Sequence, residues 1–286
     1  RYDYNRQTIL AECLRAWRVN PLARRIVGLQ TDFIIGEGLG IKCEHEATQK
    51  FLLEWWNHRL NNLDEQIPEW CDELARAGNL FFILSANPMD GMTYVRALPA
   101  ELVKEIVCAP NDVRQETQYL PEDLNAEAWE AYDGSNGQPF FVLHFAVNRP
   151  VGSTWGEPML APLLDVLGRY KSWLEDRARL NTFRTTFMYV VDGKYANEAE
   201  RQRRETHLNS HKPNPGSVLV QNENEKWSTL SAQLDSADAT MDGLSMKKTI
   251  AAGAGIPLHY LAEPESSTRT TAEAAGTPAF RSLERT

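Results

Sequence analysis

The stretch PNPGSVLVQNENEKWSTLSAQLDSADATMDGLSMKKTIAAGAGIPLHYLAEPESSTRTTAEAA, Pro213 to Ala275, decides how the chain is read. Pro215-Gly216 signals a turn, after which Ser217-Val218-Leu219-Val220 and Lys226-Trp227-Ser228-Thr229-Leu230 flank the polar Gln221 to Glu225. Two β-rich runs around a polar turn predict a hairpin. Asp235 and Asp238 then open a helical pattern and Lys247-Lys248 stand near its end, so the charges complement the backbone dipole. Gly253, Gly255 and Pro257 are expected to stop this helix. A polar loop, Glu263 to Thr271, leads into the helix-like Thr271-Ala272-Glu273-Ala274-Ala275.

The faces of that helix are more informative than its ends. At about 100° per residue, Asp238, Asp242, Ser245 and Thr249 fall on one narrow polar stripe. Met241, Leu244 and Ala251 lie to one side, Met246 and Ile250 to the other, and Lys247 points away. An ordinary surface helix has a single apolar face. A polar stripe with apolar flanks suits a helix pressed by neighbours on both sides, as in a ring of identical helices; an amphipathic core helix with a slightly polar centre is the simpler alternative.

Upstream, Asn5 to Leu29 reads as helices interrupted at Pro21. Gly36, Gly38 and Gly40 form a G-x-G-x-G string, but Ile41-Lys42-Cys43 reads as a strand continuing from it. A phosphate cradle needs such glycines between a strand and a helix amino end, so turns of positive φ are expected. Glu46 to Leu60 predicts an amphipathic helix with Phe51, Leu52, Trp55 and Trp56 as core, and Ile67 to Ala77 another. Leu80 to Leu84 and Thr93 to Arg96, joined by Asn87-Pro88 to Asp90-Gly91, predict a hairpin. Pro99 to Ile106 reads as helix, Cys108 to Glu130 as turn-rich, and Phe140 to Phe145 as the end of a second hairpin. The first 150 residues thus form an α+β module. His144, alternating with apolar neighbours, reads as a satisfied strand histidine.

From Pro162 to Phe183, Leu163, Leu164, Leu167, Tyr170, Trp173 and Leu174 keep helical spacing, giving a helix about 33 Å long. Arg177, Arg179 and Arg184 near its end could reach phosphate or pair with acidic residues of a neighbour, and pairing is the favoured reading, since Glu175 and Asp176 are mixed in. Phe187 to Val191 is a predicted strand. Asn197 to Asn209 is a charged helix bearing Arg201, Arg203, Arg204 and Glu205, and His207 and His211 read as its solvated end.

With 286 residues, 42% hydrophobic and 24% charged, the chain can bury a substantial core or divide into modules. No apolar run approaches the length of a membrane span and no signal segment opens the chain. Arg1 in first place and a helix-like pattern at Thr286 read as a piece of a longer product. Cys13, Cys43, Cys71 and Cys108 are scattered, which points to reduced thiols. Cys43 and His45 lack the second pair that a structural zinc needs. No catalytic motif of the nucleophile-elbow, phosphate-loop, zinc-protease or kinase type occurs. A net charge of -9 disfavours a protein that grips duplex DNA through phosphates. It suits a conduit whose walls give phosphate no deep wells, and it fits many cytoplasmic enzymes equally well.

The order of motifs resembles the portal proteins of tailed bacteriophages. Gly255-Ile256-Pro257-Leu258-His259-Tyr260-Leu261 and the loop after it are similar to the tunnel-loop region. Asn20-Pro21 with Ala23 to Val27, then Gly36 to Ile41, is similar to the amino-terminal portal pattern. Gly78-Asn79-Leu80-Phe81 and Tyr94 to Pro99 resemble wing strands. Gly156-Glu157-Pro158-Met159-Leu160 resembles the approach to the stem, and Pro215 to Leu219 the clip. Trp155 stands where many portals carry arginine, and Ser266-Ser267-Thr268 where many carry a helix-opening asparagine.

The resemblance implies an α+β portal fold: a mixed α+β wing over 1–153, stem helices within 154–186 and 232–261, and a small α/β clip over 187–231. A tunnel loop would span 262–271 and a following helix begin at 272–286. It implies no catalytic residues, cofactor or metal. Asp238, Asp242, Ser245 and Thr249 would line a DNA channel. Glu263, Pro264, Glu265, Ser266, Ser267, Thr268, Arg269, Thr270 and Thr271 would form the tunnel loop, and Arg201, Arg203, Arg204 and Glu205 a docking surface. The implied partners are other copies in a ring of about twelve, double-stranded DNA, a large terminase, the major capsid protein and a head-tail connector. The implied location is the virion, and the host cytoplasm during assembly. A soluble cytoplasmic hydrolase, with a carboxylate site between the α+β module and the long helix, is the alternative.

Overall fold

The computed structural model describes residues 5–135, 138–185, 188–211, 225–230 and 236–261; within these, side chains are described except at 183–185, 188–189, 229–230 and 236–239. The chain divides into two compact units, one of residues 1–171 with 242–286 and the other of residues 172–241.

The first unit begins with α1 (Arg6–Val19) and α2 (Pro21–Ile35). Asn20 separates them: its backbone N–H closes α1 on the Ala16 carbonyl, and its side-chain oxygen accepts the Leu22 and Ala23 N–H groups at the start of α2. Pro21 occupies the first turn, where a missing N–H leaves no bond unmade. After α3 (Glu46–Trp56) and α4 (Leu63–Ala77) come β1 (Asn79–Asn87), β2 (Met92–Leu98), β3 (Val103–Ala109), β4 (Asp112–Pro121), β5 (Trp129–Glu130) and β6 (Phe140–Ala146). They form two antiparallel sheets, β2-β1-β6 and β3-β4-β5. In the first, Phe81 faces Leu98 on one side and His144 on the other.

Helix α5 (Leu164–Thr185) follows a 3₁₀ turn over Ala161–Leu163, and at 22 residues it is about 33 Å long, as its spacing predicts. The second unit contains β7 (Met188–Gly193), α6 (Glu198–Ser210) and β8 (Glu225–Leu230), with β7 and β8 antiparallel. The chain returns through α7 (Ser236–Ala254) and ends its described part with α8 (Leu258–Leu261).

Several expectations are corrected. Pro99 to Ile106 is a 3₁₀ turn, Ala100–Leu102, running into β3. Val103 and Ile106 are buried there, and pairing with β4 overrides the local helical pattern. The strand ending at Phe145 closes no local hairpin; β6 crosses to the free edge of β1. Ile41 to Cys43 joins no strand. Helix α3 stops at Trp56 and none of its residues is buried; Phe51 is 48% exposed. Its tryptophans act through their indole N–H groups, Trp55 donating to the Thr93 carbonyl and Trp56 to Asp64. Gly253 lies inside α7, and the positive-φ Gly255 follows its end. Gly36 and Gly38 do take positive φ, as expected of turns. The run Ser217 to Val220 lies outside the described residues.

Two apolar clusters hold the first unit. One joins Ile26 and Val27 of α2, Ala75 of α4, Leu160, Leu163 and Leu167, and Ile250, Ala251 and Ala254 of α7. The other gathers Phe81, Leu98, Val103, Tyr119 and Val142 between the sheets, with Trp155 packed against it. The Arg6 guanidinium lies 3.5 Å from the Trp155 ring centre and donates to the Lys104 carbonyl at 2.6 Å. A cation on an indole face attracts electrostatically, more so when shielded from water.

Asn79 ties the sheet to the segment that leads into α5. It is fully buried, its amide nitrogen donating to the Ala77 and Gly156 carbonyls at 3.0 Å each, while its oxygen accepts the Gly156 N–H at 2.8 Å. The two backbones pass so closely that a Cβ at Gly156 would meet the carbonyl oxygens of Gly78 and Val147, and one at Gly78 would meet the backbone of Glu157. Gly78 also takes φ 70° to end α4, a conformation that side chains with a Cβ resist. His144 completes the site: Nε2 lies 3.1 Å from Asn79 Oδ1, Nδ1 lies 2.9 Å from Glu116, and the ring stacks on Phe81. The satisfied strand histidine expected from its alternation is thus observed. Glu116 also accepts the Tyr119 hydroxyl at 2.7 Å and pairs with Arg149 at 3.6 Å. Burial and that bond to Glu116 push the Tyr119 phenol up.

Replacing Asn79 with alanine orphans the Gly156 N–H and two buried carbonyls, so a loss of about 3 kcal/mol is expected. Asn125→Ala, in an exposed turn, should stay within about 0.5 kcal/mol. Urea denaturation compares the two, and equal midpoints would contradict the role given to Asn79.

Candidate functional site

Helix α7 turns two different faces outward and inward. Gly243, Ile250, Ala251 and Ala254 are buried, whereas Asp242, Ser245 and Thr249 are exposed on the opposite side. The Thr249 hydroxyl donates to the Ser245 carbonyl at 3.0 Å, so it satisfies itself along the helix. The side chain of Asp238 lies outside the described residues. Of the apolar flanks, Met241 is 67% exposed and Leu244 and Met246 are half-buried. The stripe is therefore solvent-facing in one copy of the chain, with the buried face of α7 locked into its own core. Close helix contact occurs at Gly253, where a Cβ would press on Leu163 at 2.6 Å.

The tunnel-loop candidates Glu263, Pro264, Glu265, Ser266, Ser267, Thr268, Arg269, Thr270 and Thr271 lie outside the described residues. Before them, α8 packs through Leu261, and Tyr260 meets Phe33 edge-on at 5.6 Å.

In the second unit the four docking candidates separate. Arg204 makes two bonds of 2.8 Å to Glu225, pinning α6 to β8. Forked contacts of this kind are the stronger ion pairs. Arg201 pairs along its own helix with Glu198 at 2.6 Å and Glu205 at 3.3 Å, both exposed. Arg203 is exposed and has no ion pair among the described residues. Sequence reasoning missed the Arg204–Glu225 tie because 21 residues separate the partners and no periodicity links a helix face to a later strand. Near the end of α5, Arg179 pairs with Asp176 at 3.7 Å within its own helix, both side chains being exposed.

His45 Nδ1 accepts the Thr48 N–H and caps α3, and no group of three potential metal ligands occurs among the described residues. All four cysteines are free, and burial pushes the Cys13 thiol up to about 12. The shielded carboxylates are engaged: Glu116 as above, and Glu73 with Arg76, which also meets Glu101 at 3.5 Å. Burial raises Glu73 above the ordinary carboxylate range against the pull of Arg76. No described helix is long and apolar enough to cross a membrane.

The hydrogen bond from Arg204 holds the Glu225 carboxyl below its ordinary range. A depressed folded value means stabilisation that is present above the unfolded value and disappears as pH falls through the folded one. Arg204→Ala should therefore lower the melting temperature at neutral pH, with the difference from wild type shrinking on acidification below the ordinary carboxylate range. Arg203→Ala should stay within about 0.5 kcal/mol. A gap between wild type and Arg204→Ala that is unchanged by acid would contradict the assignment.

No profile of a known protein family matches the chain, and no curated protein matches it by sequence. Solved structures do match. A chain of the virion of a native gene transfer agent (GTA) particle aligns over 98% of this chain and 76% of its own, at 13% identity and TM-score 0.69. A chain from the neck of a native GTA particle, computed with C12 symmetry, aligns over 94% and 75%, at 13% identity and TM-score 0.66. An HK97-family phage portal protein from Corynebacterium diphtheriae aligns over 91% and 81% at 10% identity and a TM-score of 0.44. At these identities the likeness establishes the fold: a mixed α+β chain built like one found in the GTA virion and neck.

Proposed function

We propose that this chain is a portal-type subunit: many copies, twelve in the favoured arrangement, close into a ring through which double-stranded DNA is packaged and ejected. The observation that carries the reading is the fold shared over 94% of the chain with a chain of the GTA neck, whose structure was computed with C12 symmetry. In this reading residues 1–153 are the wing, helices within 154–186 and 232–261 the stem, 187–231 the clip and 262–271 the tunnel loop. Asp238, Asp242, Ser245 and Thr249 line the passage. The exposure of Asp242, Ser245 and Thr249 opposite a buried face supports this, because a channel-lining helix must present polar groups to water and anchor itself from behind.

The chemistry suits passage and docking. A net charge of -9 leaves few cationic wells in which phosphate would stick. The large terminase hydrolyses ATP, and the ring supplies the passage and a platform for terminase, the major capsid protein and the head-tail connector. On the clip, Arg201, Arg203 and Glu205 are available to partners, while Arg204 is committed to Glu225. The ring sits in the virion and assembles in the host cytoplasm. Among the described residues, Glu73 and Glu116 are tied to Arg76 and to His144, Tyr119 and Arg149, which favours a structural role for these shielded carboxylates.

Light scattering on the purified full-length protein tests this directly. A mass near twelve subunits is expected, and a compact monomer with hydrolytic turnover would overturn the reading. In the assembled ring, Asp242→Lys combined with Thr249→Lys should convert weak duplex retention into binding that falls steeply with salt. Unchanged retention would place the stripe away from DNA.

A further inference from the structure

The end of α6 carries a histidine pair that neither passage nor docking uses: His207 in its last turn and His211, the residue that caps it. His207 and His211 are four residues apart across the end of the helix, and both are exposed. Their ring centres lie 4.5 Å apart, with planes 13° from parallel. His211 Nδ1 sits 3.1 Å from the His207 carbonyl oxygen. That oxygen can only accept, so in the hydrogen bond the hydrogen is on Nδ1, and the neutral ring keeps its lone pair on Nε2. Histidines that bind metals are oriented in this way, with the second nitrogen donating to a carbonyl or carboxylate.

We propose that His207 and His211 form a two-histidine chelate for a divalent transition-metal ion. Two imidazoles at this spacing on a helix can reach one ion, each with an N–metal distance of about 2.0–2.1 Å. With His211 held through Nδ1, a turn of the exposed His207 ring out of the stack would bring a nitrogen toward His211 Nε2. The position favours a cation, because the last carbonyls of α6 carry the negative end of the helix dipole. Arg203, one turn earlier, opposes it. Two protein ligands, with water completing the shell, make a modest site in which affinity rises from zinc through nickel to copper. The ion would clasp the final turn of the helix.

The test is calorimetric titration of Ni²⁺ into the untagged full chain, beside His207→Ala, His211→Ala and, as a control, His58→Ala. One nickel per chain is expected, weakened at least tenfold by either α6 substitution and unchanged by the control. Because nickel is paramagnetic, substoichiometric ion added to the wild type should broaden the His207 and His211 ring resonances before those of the other histidines, a readout that needs no variant to fold. Loss of affinity in the control equal to that in the α6 variants, broadening that starts elsewhere, or no binding by the wild type would each overturn the site.

Discussion

The buried amide of Asn79 is the constraint on which the first unit depends. One side chain satisfies the end of α4, the start of β1 and the segment at Gly156 that leads into α5. Because Asn79 Oδ1 must accept from His144 Nε2 as well as from Gly156, the same group also sets the imidazole, and through it Glu116 in the second sheet. The glycines follow from this arrangement. Two backbones that share one amide between them leave no room for a Cβ at Gly78 or Gly156. Buried polar networks of this kind specify one geometry, since any other leaves unpaired groups in a medium that penalises them heavily.

That geometry sets where the long helices start. Met159 donates its N–H to the Ala75 carbonyl, and Leu160, Leu163 and Leu167 then enter the core that α2 and α7 share. Helix α7 is therefore held from behind by apolar contacts within its own chain, and its stripe of Asp242, Ser245 and Thr249 faces outward as a consequence. The proposed channel wall is in this sense a by-product of core packing. The arrangement needs no neighbouring subunit to orient the polar face.

Much of this was legible in the sequence, and the failures have physical causes. Periodicity located α5 and α7 because both are long and packed on one side, and Pro21 marked the break between α1 and α2 because a proline cannot continue a helix. Gly78-Asn79 and Gly156-Glu157 stood out as motifs, yet nothing along the chain says that they touch, with 77 residues between Asn79 and Gly156. Val103 to Ile106 was misread as helix because its strand identity comes from β4, a partner that local propensity cannot supply. Phe51 looked like core because an apolar stripe does not reveal whether anything covers it. The stripe on α7 was legible as a pattern, whereas the flank left open at Met241 was not.

The account centres on a helix with one face in its own core and the other facing an opening made by many copies. A cryo-electron-microscopy map of the assembled full-length protein tests this most directly. The account predicts a closed ring with Asp242, Ser245 and Thr249 facing the axis. A ring that turns these residues into a contact between subunits, or toward its outer rim, would contradict it.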